Sequence, residues 1–243
     1  MSISAIIPLK NEKGNVGLMI SSVAELKDLE EIIFIDGDSN DGTYDFLLES
    51  IKINSDKRII VLKQTKPFGK FNAIKQAASH VNSDNILIWD GDNTIPVSDV
   101  KKIVNFYVQL LKNNSNVFVV ANRITKKKKK KSFRALNLLG NYVVSFAMRL
   151  ILRDKVPDVL SGVKIFPSNI LTSVDNCKKA MSLDKFGDLV LLSNGAKNNS
   201  HIYSVACNYQ VRFYGNTSIG RWNGGFNMLK VFIHVLSHRC NRA

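Results

Sequence analysis

The sequence predicts an α/β fold built on a mainly parallel central sheet. Three observations predict it. Short apolar runs alternate with helix-period segments through the first half of the chain. The runs are apolar throughout rather than at every second residue, as expected of strands buried on both faces. Two acidic clusters, "IDGDSNDGT" and "WDGDN", each lie at the end of such a run. In open parallel sheets that is where ligands bind.

The elements follow in order. "SAIIPL" reads as a strand and "NVGLMISSVAEL" as an amphipathic helix. "EEIIFID" is a second strand, followed by the helix "GTYDFLLESIKI". "RIIVLKQ" is a third, followed by "GKFNAIKQAASHV". "NILIWDGD" is a fourth, followed by "VSDVKKIVNFYVQLLKN", and "NVFVVANRI" is a fifth. Helices of this length between apolar strands imply parallel crossovers covering both sheet faces. The 243 residues suffice for one such domain or two small ones.

After Arg123 the character changes. "TKKKKKK", residues 125–131, is a basic low-complexity run, read either as a solvated loop or as a collector of phosphate. In "ALNLLGNYVVSFAMRLILRD", Asn137, Asn141, Ser145, Arg149 and Arg153 recur every fourth residue as one narrow polar stripe. Nearly everything else there is apolar. Such a helix is either packed on most sides or rests against lipid. The tail "GGFNMLKVFIHVLSHRCNRA" is a short apolar helix flanked by basic residues, suited to lying in a membrane interface.

Composition narrows the partners. The net charge of +14 favours polyanions: nucleic acid, an acidic membrane surface or phosphorylated substrates. Nucleic acid is disfavoured, because no aromatics interleave the basic run and no recognition motif appears. The three cysteines are scattered, which argues against a disulfide framework or zinc site and fits a reducing compartment. The N-terminus goes straight into a strand pattern without leader features. No stretch approaches the ~20 apolar residues that span a bilayer. The expected location is cytoplasmic, peripheral on the inner face of the membrane.

Asp90 and Asp92 close the fourth strand with only Gly91 between them. Carboxylates in this spacing can hold Mg²⁺ or Mn²⁺ through oxygen, leaving positions for substrate phosphates. Asp36, Asp38 and Asp41 can accept from nucleobase or ribose donors, and Asp41 or Thr43 can cap the next helix. Gly69 and Lys70, at a helix start, can approach a phosphate.

Taken in order, "IIPLKNE", "IDGDSNDGT", "GKFNAIKQA", "WDGDN" and "ANR" resemble the family 2 glycosyltransferases of the GT-A fold. "DVLSGVKIFP", "FGDLVLL" and "QVRFYGNTSIGRWNGG" resemble its polyprenyl-phosphate branch, the relatives of dolichol-phosphate mannose and glucose synthases. The resemblance implies one integrated domain. Residues 1–125 would form a nucleotide-sugar-binding half, and residues 126–243 an acceptor-binding half with C-terminal amphipathic membrane-associating helices.

It also implies roles. Pro8, Asn11 and Glu12 match the N-terminal donor-binding segment. Asp36 matches the base-contacting acid, with Gly37 at the second position of that turn and Asp38 one place later. Lys70, Asp90, Gly91 and Asp92 belong to the donor site, and Asp90 and Asp92 match the metal and diphosphate ligands. Thr94 stands where mannose synthases often carry Gln. Arg123 matches an acceptor-phosphate contact, joined by Arg134 and Arg212. Asp158, Ser161, Gly162 and Lys164 match a further signature, and Arg212, Tyr214 and Gly215 another, with Asn216 replacing Glu. Asp92, Arg123 and Asp188 are the catalytic candidates. The implied reaction moves a sugar from a UDP- or GDP-sugar to a polyprenyl phosphate or glycolipid, with inversion. A phosphate acceptor is already ionised near neutral pH. A saccharide acceptor, as in capsule or lipopolysaccharide synthesis, would need a base, for which Asp188 is the candidate.

Overall fold

Strand β1, Ile3–Leu9, lies inside the sheet. The computed structural model describes residues 1–51, 58–114, 116–124, 135–149, 152, 154–176 and 186–215. Around β1 the chain builds β2 (Glu31–Asp36), β3 (Arg58–Lys63), β4 (Asn85–Ile88), β5 (Val117–Asn122), β6 (Lys164–Pro167) and β7 (His201–Ala206). They form one seven-stranded sheet in the order β3-β2-β1-β4-β6-β5-β7. The five expected strands are present, and β6 and β7 add to them.

The pairs β1–β2, β1–β4, β2–β3 and β5–β7 are parallel. Among the described strands only β6 reverses, running antiparallel to β4 and to β5. That reversal positions the site. Lys164 pairs with Ile88 at the carboxyl end of β4, so the residues just before β6 meet the crevice there. The residues after β7 enter from the same edge, because β7 runs with β5.

Helices cover both faces, as alternation along the buried strands requires. Ala5, Ile7 and Leu9 face the layer of α1 (Lys13–Ala24), α2 (Thr43–Ile51) and α4 (Val97–Leu111). Val16, Met19 and Val23 meet them from α1, and Val100, Ile103, Val104 and Tyr107 from α4. Ile6, Ile86 and Phe166 face the other layer, which holds α3 (Lys70–Ala78), α5 (Ala135–Met148), α6 (Asn169–Thr172) and α7 (Asp188–Lys197). In α1 and α4 the 3–4 spacing of these apolar residues gives each helix one buried stripe.

Among the described residues no helix is long and apolar enough to cross a membrane. Cys207 is free and buried. The lysine run, Arg134, Arg153, Asn216, Cys177, Cys240 and the C-terminal amphipathic segment lie outside the described residues.

Candidate active site

The crevice opens at the carboxyl ends of β1, β2 and β4, where the two acidic clusters meet. Asp36 ends β2 fully buried. Its Oδ2 accepts from the Ser39 N–H at 3.0 Å, and its Oδ1 has no hydrogen-bond partner among the described residues. A buried acceptor left in this state is costly, and a ligand donor would satisfy it. Asp38, by contrast, is exposed and adopts φ +63°. Asn11 bridges β1 to this turn: its N–H donates to Ser39 Oγ and its Oδ1 accepts from the Asn40 N–H, both at 2.9 Å. Pro8 sits within β1 beside Ile35.

Asp90 and Asp92 follow β4 with Gly91 buried between them. Lys70, the first residue of α3, pairs with Asp90 Oδ1 at 2.5 Å. Burial would raise the Asp90 carboxyl, but Lys70, then Lys164 and Arg123, outweigh it and hold it below the usual range. Asp92 Oδ1 accepts from the Thr94 N–H and hydroxyl, at 3.1 and 2.8 Å. Thr94 therefore braces Asp92 rather than standing apart as another ligand. A small cavity is lined by Asp90, Asp92, Thr94, Arg123 and Gly162, with Trp89 behind.

The donor set fits an ion of the Mg²⁺ or Mn²⁺ type. Such ions take one or two carboxylates when substrate phosphates complete their shell. No cluster of three or more metal-ligating side chains occurs among the described residues, so a site made by protein ligands alone does not fit. Cationic side chains, Lys70 and Arg212, already sit on these carboxylates.

Arg123, just beyond β5, makes a two-pronged pair with Asp158: Nε to Oδ2 at 2.8 Å and an Nη to Oδ1 at 2.9 Å. The same Nη donates to the Leu160 carbonyl at 2.8 Å. Its guanidinium also lies 5.2 Å from the Tyr209 ring centroid. Burial would raise the fully buried Asp158 carboxyl. Arg123, and after it Asn141, overcome that and keep it below the usual range. Asn141 donates to Asp158 Oδ1 at 2.6 Å, and Ser145 donates to Asn141 Oδ1 at 3.1 Å. Two residues of the polar stripe of α5 thus point inward, Asn141 at 2% and Ser145 at 3% exposed, while Arg149 beyond them is exposed. Tyr142, Val143 and Phe146 point outward, Val143 60% and Phe146 69% exposed, while Met148 joins the core.

Lys164 is buried and pairs with Asp188 at 2.6 Å, while also donating to the Ser161 carbonyl. Asp188, the first residue of α7, is therefore held by a cation beside the crevice.

Residues 207–215 form a strap across the opening. The Cys207 N–H donates to the Asn122 carbonyl at 2.9 Å and the Gln210 N–H to the Thr94 carbonyl at 2.8 Å. Asn208 donates twice to Asp99. Arg212 then spans two carboxylates, Glu12 Oε1 at 2.8 Å and Asp92 Oδ2 at 2.7 Å. Tyr214 packs where Gly14 leaves room: a β-carbon there would lie 2.4 Å from its ring. Burial pushes the Glu12 carboxyl up to about 7, against the pull of Arg212 and of Asn15, which donates at 2.5 Å.

The crevice thus gathers Asn11, Glu12, Asp36, Lys70, Asp90, Asp92, Arg123 and Arg212, with Asp188 beside it. Arg212, expected at the acceptor, lies on Glu12 and Asp92. Asp158, Lys164 and Arg212 were visible only as parts of signatures, and no local pattern gave their partners. Tyr209 carried no sequence signal. Asn141 and Ser145 were visible as a stripe, but periodicity could not say which way it faced.

An open α/β sheet with a carboxylate pair at one strand end, a buried acid at another and cations around both is a layout suited to a nucleoside diphosphate. The comparisons agree. The chain belongs to glycosyl transferase family 2, whose model matches residues 4–172. Over 113 residues it is 32% identical to the dolichyl-phosphate beta-glucosyltransferase of Saccharomyces cerevisiae, covering 42% of this chain and 33% of that protein. It is 27% identical over 108 residues to the bactoprenol glucosyl transferase of Shigella phage SfX, covering 43% and 35%. The matched stretch thus spans about a third of these relatives' length. The fold is shared with glucosyl-3-phosphoglycerate synthase from Mycobacterium tuberculosis, solved with Mn²⁺, UDP-glucose and glycerol 3-phosphate. There the TM-score is 0.60 at 20% identity, covering 99% of this chain and 80% of that one. It is also shared with mannosyl-3-phosphoglycerate synthase from Rubrobacter xylanophilus, at TM-score 0.66 and 14% identity, covering 100% and 76%.

Proposed function

We propose that this protein transfers a sugar from a UDP- or GDP-sugar to a polyprenyl phosphate at a membrane surface, with inversion. The observation that carries the acceptor class is the pairing, on α5, of a buried polar Asn141–Ser145 contact with an exposed apolar patch. Asn141 ties to Asp158, which holds Arg123 at the crevice, while Val143 and Phe146 face outward. An acceptor with a lipid tail and a phosphate head suits that arrangement. The two named relatives bear the names of dolichyl-phosphate and bactoprenol glucosyltransferases.

In this reading residues 1–125 bind the donor and residues 126–243 the acceptor. Asp36 accepts from the donor's base or ribose, with Asn11 shaping the turn around it. Asp90 and Asp92 would hold Mg²⁺ or Mn²⁺, and the ion would supply charge stabilisation to a leaving diphosphate. Lys70 keeps Asp90 ionised and Arg212 positions Asp92, while Arg123 faces the acceptor phosphate. That phosphate needs no strong general base near neutral pH. Asp188, held by Lys164, then has a structural part unless the acceptor is a hydroxyl. The outward face of α5 sits against the inner leaflet.

The test mixes protein, Mn²⁺ or Mg²⁺, labelled UDP- and GDP-sugars and polyprenyl phosphate. Label should move into the organic phase with one donor. Transfer to a soluble oligosaccharide in preference to the lipid would favour a saccharide acceptor. No lipid-borne label from protein that binds nucleotide would refute the proposal.

A further inference from the structure

Arg212 sits against the donor carboxylates rather than beside the acceptor elements. One Nη lies 2.7 Å from Asp92 Oδ2 and the other 2.8 Å from Glu12 Oε1. Asp92 Oδ1 is already taken by two donors from Thr94. A carboxylate offers about four acceptor positions, two on each oxygen. The open position on Asp92 is therefore on Oδ2, beside the guanidinium. A divalent cation placed there would face a like charge at hydrogen-bond range, which disfavours both.

Glu12 is anchored independently of Arg212. Asn15 donates to its Oε2 at 2.5 Å, and its N–H donates to Thr43 Oγ1 at 2.9 Å. Glu12 can thus retain one prong of the fork while the other swings away. On either side of Arg212 the strap turns outward, with Val211 68% and Phe213 86% exposed. The strap is pinned at Gln210, bonded to the Thr94 carbonyl, and at Tyr214, packed on Gly14, so any exchange of partners is confined to the Arg212 side chain between them.

We propose that Arg212 is a donor-site residue that exchanges partners. Without donor it is the counter-cation of Asp92 and opposes binding of a bare divalent ion. When metal and nucleotide arrive together, the prong on Asp92 moves to the diphosphate, whose oxygens a planar guanidinium can bind in pairs. The prong on Glu12 stays. The arrangement favours joint entry of metal and diphosphate over metal alone. The inference rests on the assignment of Asp92 as a metal ligand.

The opposed signs give the test. Mn²⁺ binding is measured by electron paramagnetic resonance without nucleotide, and UDP and GDP binding by calorimetry at saturating Mn²⁺. Arg212→Met should bind Mn²⁺ alone roughly tenfold more tightly and its preferred diphosphate roughly tenfold more weakly, the scale of one charged hydrogen bond. Arg212→Lys, which cannot span both carboxylates, should shift both in the same directions but less. It also serves if the Met variant does not fold. Losses of both affinities, gains of both, or no change in either would overturn the proposal. Asp92→Asn separates the underlying assignment: Mn²⁺ binding that survives it removes Asp92 as a ligand. Binding that disappears in Asp92→Asn yet ignores Arg212→Met overturns only the exchange.

Discussion

A β-carbon at Gly162 would lie 1.6 Å from Asp90 Oδ2. The carboxylate and the backbone before β6 occupy adjoining space, so any side chain there must push Asp90 aside. Gly162→Ala should therefore weaken nucleotide binding in the presence of Mn²⁺ by tenfold or more, measured by calorimetry. Unchanged affinity would mean that Asp90 does not touch the metal–diphosphate. Arg123 and Asp158 pose a different single-residue question. Removing one partner of a buried pair leaves the other charge exposed to a low dielectric, at a cost of about 3–5 kcal/mol. Arg123→Gln should show that loss in chemical denaturation. The pH dependence has a definite sign. The Asp158 carboxyl is held below its unfolded value, because Arg123 outweighs burial. Its stabilising contribution is fully present above the unfolded value, near pH 4, and is lost as pH falls through the folded value. In Arg123→Gln this part of the acid dependence should flatten.

At the level of elements, α5 carries a contrast of faces that composition alone could not orient. Asn141 and Ser145 reach Asp158 and the backbone of Val159, whereas Tyr142, Val143 and Phe146 face away from the core. Asn141→Leu should destabilise the protein by about 1–3 kcal/mol, because a buried carboxylate oxygen loses its donor. Phe146→Glu should leave stability within about 0.5 kcal/mol, as for most exposed positions, and yet reduce vesicle binding in a flotation assay. The opposite outcome, a large stability loss at Phe146, would mean that this face packs on protein. The same contrast marks how much the sequence disclosed. Strands β1 to β5 were legible because each is an apolar run bounded by turn residues. β6 was not, since only four residues pair and one is a buried lysine, Lys164. Nor was β7, whose "HIYSVA" is partly exposed along the sheet edge. The placement of Asp36, Asp90 and Asp92 at strand ends was legible because an apolar run leads to each. Their cations were not: Lys70 lies 20 and Arg212 120 positions from the carboxylates they meet, and only the folded sheet brings them there.

Taken as a whole, the membrane contact proposed for the molecule would rest on two unlike attractions. One is diffuse: a net charge of +14, with the lysine run contributing much of it. The other is local, the apolar face of α5. Salt separates them. Screening shortens from about 10 Å at 0.1 M to about 3 Å at 1 M, which weakens the diffuse attraction and leaves apolar burial in place. Binding to vesicles containing anionic lipid should therefore fall steeply as salt rises from about 0.1 to about 0.5 M. A residual fraction should persist at the higher concentration, and Phe146→Glu should remove it while leaving the salt-sensitive fraction largely intact. Neutral vesicles should show only the residual fraction. If Phe146→Glu bound like the parent protein at every salt concentration, α5 would not be the docking face. The charge would then be acting alone, as it would toward any polyanion.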